Sequence, residues 1–290
     1  MIQFYLTTKK EGLQMSILKE FFGFGGYTRE PEGYMSWQHL TFVSSLVIIM
    51  IALAIIIGLH NKNRDLQHKN RTLIIAALLI DSLELFKIVL FCIRGKDPMG
   101  WLYDLPLFLC SIQLITIPLA AFSKGRLKEV SLDFVFIFGI LGALAGTYGA
   151  GQNYACYPVL CFDNVVSGIT HTIAGFSSLY IVISCMASMK KRNIPFCFAI
   201  LSAFCVAAYG ANHALDYNYM FLMRGDGTPY DMIYNLVGGN AILYPILVVL
   251  LFYIYITAFY LIYSAATRKK HRTAHPVSEE TASESTMSHV

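Results

Sequence analysis

The chain has 290 residues, of which 56% are hydrophobic and only 14% charged, against about a quarter charged in an ordinary soluble domain. Its mean hydropathy is +0.55, and too few polar residues lie between Trp37 and Tyr263 to give soluble helices their wet faces, so a soluble enzyme is excluded. The net charge of +4 does not indicate a nucleic-acid binder, because the 22 Lys and Arg sit in short clusters at the ends of apolar runs instead of along one face.

In chain order, residues 1–36 come first. Their apolar patch at Phe21, Phe22 and Phe24 is interrupted by Lys19 and Glu20, so no signal-peptide core is expected there. The segment is read as extracytoplasmic. Seven apolar runs of roughly 20 residues follow, each long enough to cross a hydrocarbon core. They predict spans near 37–60, 71–93, 102–122, 132–151, 168–189, 194–214 and 239–265. The fold class is therefore an all-α polytopic bundle, with a membrane domain over 37–265 in the cell membrane. The second span carries Asp81, Glu84 and Lys87 on one face. Such charges are costly in lipid and demand shielding by neighbours, and Glu84 with Lys87 has the spacing of an ion pair. The fourth is studded with Gly139, Gly142 and Gly146, a small-residue face suited to close helix packing. Residues 266–290 are rich in Ser, Thr and Glu and are expected to form a disordered cytoplasmic tail.

Sorting the loop charges by side puts fourteen Lys and Arg on one side and seven on the other. The positive-inside rule then places the N-terminus outside and the C-terminus in the cytoplasm. With that orientation the scarce polar residues of the spans gather towards the outer leaflet. His39 begins the first span, Glu84 lies in the outer half of the second, and Cys110 and Gln113 lie in the third. His171 sits near the outer end of the fifth, and Asn212 and His213 close the sixth. One outward-facing polar pocket is expected.

Within it, Cys110 is a candidate nucleophile if an imidazole takes its proton. His171, the histidine set deepest in a span, is the candidate base. His39, Glu84, Gln113, Asn212 and His213 are the candidate substrate contacts, with Gln113, Asn212 or backbone amides available to a developing oxyanion. No HxxxH, CxxC, Walker or dinucleotide motif appears, so neither a metal nor a cofactor is expected. Cys156 and Cys161 are spaced for a disulfide in an oxidising compartment. The same pocket could instead bind an ion or small solute along Asp81, Glu84 and Lys87, without covalent chemistry.

The segment LPLFLCSI around Cys110, with YMSWQHLTF at the first span, the region around His171 and NYMFL at Asn218–Leu222, resembles the YwaF family of bacterial integral membrane proteins. That family's third of seven helices carries a signature similar to LPLHLCxI. The resemblance covers nearly the whole membrane region and implies kinship with eukaryotic acyltransferases that move fatty acyl chains between phospholipids. It implies Cys110 as the acyl-carrying nucleophile, His171 as its partner and membrane phospholipids as the substrate. A more remote similarity, to membrane hydrolases of lipid esters using a Thr and His pair, makes Thr41 a second candidate. The chain departs from the signature at Phe108, where the family usually has histidine.

Overall fold

The structure, a computed structural model, describes the backbone of residues 15–274 and the side chains of residues 15–267. Every regular element among the described residues is helical. After a short helix over 15–21, the main elements are α1 (Trp37–Asn61), α2 (Leu66–Gly95), α3 (Gln113–Phe122), α4 (Gly125–Thr147), α5 (Gly151–Cys156), α6 (Phe162–Ile183), α7 (Ile194–Leu215), α8 (Asp231–Leu236) and α9 (Leu243–Ala274). Five stretches are long and apolar enough to cross a membrane, those built on α1, α4, α6, α7 and α9. The protein is thus an all-α, multi-spanning membrane protein.

Two expected spans differ. The second is a continuous helix of 30 residues, but its charges keep it out of the five. The third is broken: Gly100–Tyr103 forms a 3-10 turn, residues 104–112 are non-helical, and only Gln113–Phe122 is α-helical. Pro106 explains the break, since it has no N–H and its ring disfavours helical geometry at Leu105. Ser111 then closes a local turn, accepting the Phe108 N–H at 3.0 Å and donating to the Phe108 carbonyl at 3.1 Å. At the far end of the chain α9 runs on to Ala274, past the expected boundary at 265. The rest of the expected tail, 275–290, and the first fourteen residues lie outside the described residues.

The centre of the bundle is α4. In its apolar window 72% of residues are buried, against 22% for α1, α7 and α9, whose exposed Ile48, Ile49, Ile56, Val206 and Ile254 belong in lipid. α4 packs most extensively against α6 and then α3, while α6 also carries α1. The expected small-residue face makes the α4–α6 approach close. A Cβ on Gly139 would stand 2.7 Å from both the Ala174 carbonyl oxygen and Ser178 Cβ. α7 and α9 pair through stacked Phe198 and Tyr253, 4.4 Å apart, and dock on α4 through Tyr255, which donates to the Ile137 carbonyl.

Asp133 of α4 fastens the end of the bundle opposite the N-terminal segment. It is fully buried, and its carboxyl accepts from the amides of Ser188 and Met189 at 3.1 and 3.0 Å, from Asn193 Nδ2 at 2.8 Å and from the Tyr260 hydroxyl at 3.0 Å. One side chain therefore ties α4 to the 184–193 connection and to α9. Asp133→Ala leaves these buried donors without an acceptor, and the expected loss is about 3 kcal/mol. It will register as a lowered unfolding midpoint in detergent.

Candidate functional site

At the N-terminal-segment end of the bundle, the break before α3 decides what Cys110 can do. Cys110 does not sit mid-helix but in the turn that leads into α3, where the first i→i−4 backbone bond runs from the Ile112 N–H to the Phe108 carbonyl. On one side the turn meets α4, where a Cβ on Gly142 would lie 3.3 Å from Cys110 Cα and 3.5 Å from its Cβ. One turn further along α4, Gly146 faces the imidazole of His171, with the positions nearest an added Cβ being His171 Cδ2 and Nε2. Two glycines four residues apart thus make room for the two candidate side chains. Cys110 and His171 therefore face the same side of α4, one turn apart.

His171 is held in one orientation by its own helix. Its Nδ1 lies 2.7 Å from the Ser167 carbonyl oxygen, and because a carbonyl can only accept, the neutral ring carries its proton on Nδ1. Nε2 is then the basic nitrogen, and it is the one on the Gly146 side. Ser167, the residue that anchors His171, also lines a cavity of about 510 Å³.

Two ion-paired clusters build that cavity. Lys87 Nζ lies 2.6 Å from Glu84 Oε1 and 3.1 Å from Asp104 Oδ2. The expected pair on α2 therefore acquires a third member from the segment that carries Cys110. Arg94 holds Asp163 in a two-pronged bond, Nη2 to Oδ1 at 2.7 Å and Nη1 to Oδ2 at 2.9 Å. Tyr27 donates to the same carboxylate at 2.7 Å. Burial and the Asp163 carboxylate push the Tyr27 phenol upward from its ordinary range, so it stays a donor. Arg94 also binds the Phe22 carbonyl, while Phe21 and Phe22 pack on Phe162. The N-terminal segment is thereby strapped across the cavity as one wall. Arg94→Ala removes four charge-assisted bonds at once, two to Asp163 and one each to the Phe22 carbonyl and the Tyr27 hydroxyl. It should cost about 2 kcal/mol and expose the glycine-rich stretch 23–33, which limited proteolysis will show as faster cleavage there.

The other expected contacts are distributed differently. His39 is fully buried with both ring nitrogens engaged, Nδ1 accepting from the Met35 N–H and Nε2 donating to the Thr147 carbonyl, each at 3.2 Å. Asn212 spends both ends of its amide on the backbone of Tyr219. His213 is exposed and packs edge-on against Tyr209. Asp81 is exposed on α2, apart from the Glu84–Lys87 pair. Gln113 is fully buried three residues after Cys110. Of the expected set, Cys110 and His171 lie against neighbouring glycines of α4, Gln113 opens α3 one turn after Cys110, and Glu84 is tied to the cavity through its pair with Lys87. Phe108, at the position of the family's histidine, sits in an aromatic cluster with Tyr217, Tyr219 and Phe221. Cys156 and Cys161 are both free thiols, one exposed and one buried, in place of the disulfide their spacing allows. Among the described residues no group of three His, Cys, Asp or Glu is placed to hold a metal ion.

Residues unmarked by any motif supply much of this geometry. Gly142 and Gly146 read in the sequence as packing residues, and their four-residue spacing was the available signal. Tyr27, Asp104 and Asp163 carried none, since Tyr27 and Asp163 are separated by 136 positions.

A multi-pass helical bundle with an open cavity flanked by two ion-paired clusters at one end defines the class. Residues 34–267 match the model of the TMEM164 family, and the chain belongs to that family. No curated protein and no solved structure matches the chain.

Proposed function

We propose that the protein is a membrane acyltransferase that moves a fatty acyl chain from one phospholipid to another through a thioester on Cys110. The resemblance of the LPLFLCSI segment to the YwaF signature suggests this chemistry. What supports it most is that Cys110 and His171 lie against glycines one turn apart on α4, with His171 Nδ1 anchored on a carbonyl and its Nε2 left to act as a base.

In the proposed reaction His171 Nε2 takes the thiol proton, and the sulfur attacks the ester carbonyl carbon, forming a C–S bond as the π pair moves to oxygen. When that pair returns, the C–O bond to the glycerol breaks. The leaving alkoxide takes the proton from His171, giving a lysophospholipid and an acyl-Cys110 thioester. A second lipid hydroxyl then gives its proton to His171, attacks the thioester and expels the thiolate, which recovers the proton. Water in the same role makes the protein a hydrolase. With α2 and the broken third segment taken as completing the five clear spans to seven crossings, and with the N-terminus outside, Cys110 and His171 would lie near the outer leaflet. A lipid tail can stay there in hydrocarbon while its ester reaches the polar cavity. Glu84, paired with Lys87 in the cavity, belongs to the headgroup side of the substrate.

The test is transfer of an isotope-labelled acyl chain from phosphatidylcholine to an added lysophospholipid by protein reconstituted in vesicles. Labelled diacyl product is expected. Vesicles that show no transfer or hydrolysis, but take up a solute in response to an ion gradient, would overturn the proposal in favour of transport.

A further inference from the structure

A buried amide beside Cys110 has a hydrogen-bonding vacancy that packing does not explain. Gln113 is 0% exposed. Its Oε1 accepts from Thr116 Oγ1 at 3.1 Å, yet its Nε2 has no partner. It is the one amide nitrogen among the four buried unpaired side-chain atoms of the described residues, the others being Asn61 Oδ1, Ser131 Oγ and Asn193 Oδ1. Buried donors are almost always satisfied, so an orphan marks a place where something else completes the bond.

Its position is specific. Gln113 opens the ten-residue α3, where side chains lean back towards the helix N-terminus, and Cys110 is the residue one turn back. Thr116, one turn forward, holds the oxygen end of the amide and so leaves the NH₂ end free. Two more donors converge on the same turn. They are the backbone N–H groups of Cys110 and Ser111, neither of which bonds a carbonyl among the described residues, the helical ladder starting only at Ile112. Asn212, the alternative side-chain amide, is already committed to Tyr219 at both ends.

We propose that Gln113 Nε2 and the backbone N–H groups of Cys110 and Ser111 form the oxyanion hole of the acyl-transfer site. This inference rests on the reading of Cys110 as nucleophile and deepens it. As the sulfur bonds the carbonyl carbon, the π pair moves onto the oxygen, and the donors receive that charge without giving up a proton. On collapse the pair returns, the C–O bond breaks and the donors are free again. Gln113 is then a catalytic residue, since it touches the reacting oxygen.

Two variants test it in vesicles of phosphatidylcholine with a lysophospholipid acceptor. Gln113→Glu keeps the shape and the bond from Thr116 but has no N–H, and Gln113→Met keeps the volume alone. Each should lower kcat by about 10²–10³-fold, with KM within about threefold. Gln113→Met removes the unpaired NH₂ but also the acceptor of the buried Thr116 hydroxyl, so its unfolding midpoint should change little. Wild-type kcat in both variants would overturn the assignment, as would a loss of activity that merely tracks a lowered unfolding midpoint. Cys110→Ala in the same vesicles separates the two levels. If it is inert while Gln113→Glu turns over normally, only the oxyanion hole fails, and if it still turns over, the nucleophile itself is wrong.

Discussion

Cys110→Ala and Cys110→Ser should both abolish acyl transfer, with a loss on the order of 10⁴-fold or more, because the acyl group has no other sulfur to rest on between donor and acceptor. The cysteine is partly buried against Gly142, so deleting one sulfur should cost about 1 kcal/mol of stability. Serine nearly preserves the volume. Activity and stability therefore separate, and measuring both on the same reconstituted sample distinguishes a lost nucleophile from a collapsed fold. His171→Asn should be equally inactive, since neither half-reaction can then move its proton. Loss of the two groups together should cost little more than either alone, as for residues that act as a unit.

The second large effect falls on a residue without functional groups. Gly146→Ala drives a methyl group into the imidazole of His171 at Cδ2 and Nε2. The ring is tethered at Nδ1 by the Ser167 carbonyl, so it can yield only by giving up that bond or by pushing α4 away. Either displaces Nε2 from the sulfur, and a misplacement of about 1 Å costs roughly 10²-fold in rate. Gly142→Ala meets the Cys110 backbone at 3.3 Å, which a shift of a few tenths of an ångström relieves, so its loss should be smaller. Gly210→Ala on α7 has nothing within 4 Å and should leave turnover unchanged while gaining a little helix stability. Turnover and unfolding midpoint across these three alanine variants measure how much of the rate depends on the seating of His171.

The bundle was legible because α1, α4, α6, α7 and α9 are long apolar runs whose signal survives averaging over a window. The third span failed for the same reason: LPLFLCSIQLITIPL is apolar throughout, and hydropathy does not register that Pro106 and the Ser111 turn remove its first half from the helix. That error bears on chemistry, because it moves Cys110 from the side of a helix to the turn before one. Cys110, His171, Glu84 and Gln113 stood out as scarce polar groups in lipid-length segments. His39 and Asn212 stood out equally, yet their hydrogen bonds are spent on Thr147 and Tyr219. A buried polar side chain looks the same in a sequence whether it satisfies a neighbouring backbone or awaits a substrate. Arg94 read as a topological charge, whereas its partners Asp163 and Tyr27 lie 69 and 67 positions away, a distance no local pattern spans.

The central claim is that an acyl chain rests on Cys110 between donor and acceptor, and mass spectrometry tests it most directly. Protein in vesicles of phosphatidylcholine bearing one isotope-labelled acyl chain, quenched in acid without acceptor, should yield a Cys110 peptide heavier by that acyl group. The adduct should be labile to hydroxylamine and absent from Cys110→Ala. Acyl transfer that proceeds with no adduct on Cys110, or an adduct that persists in Cys110→Ala, would contradict the account.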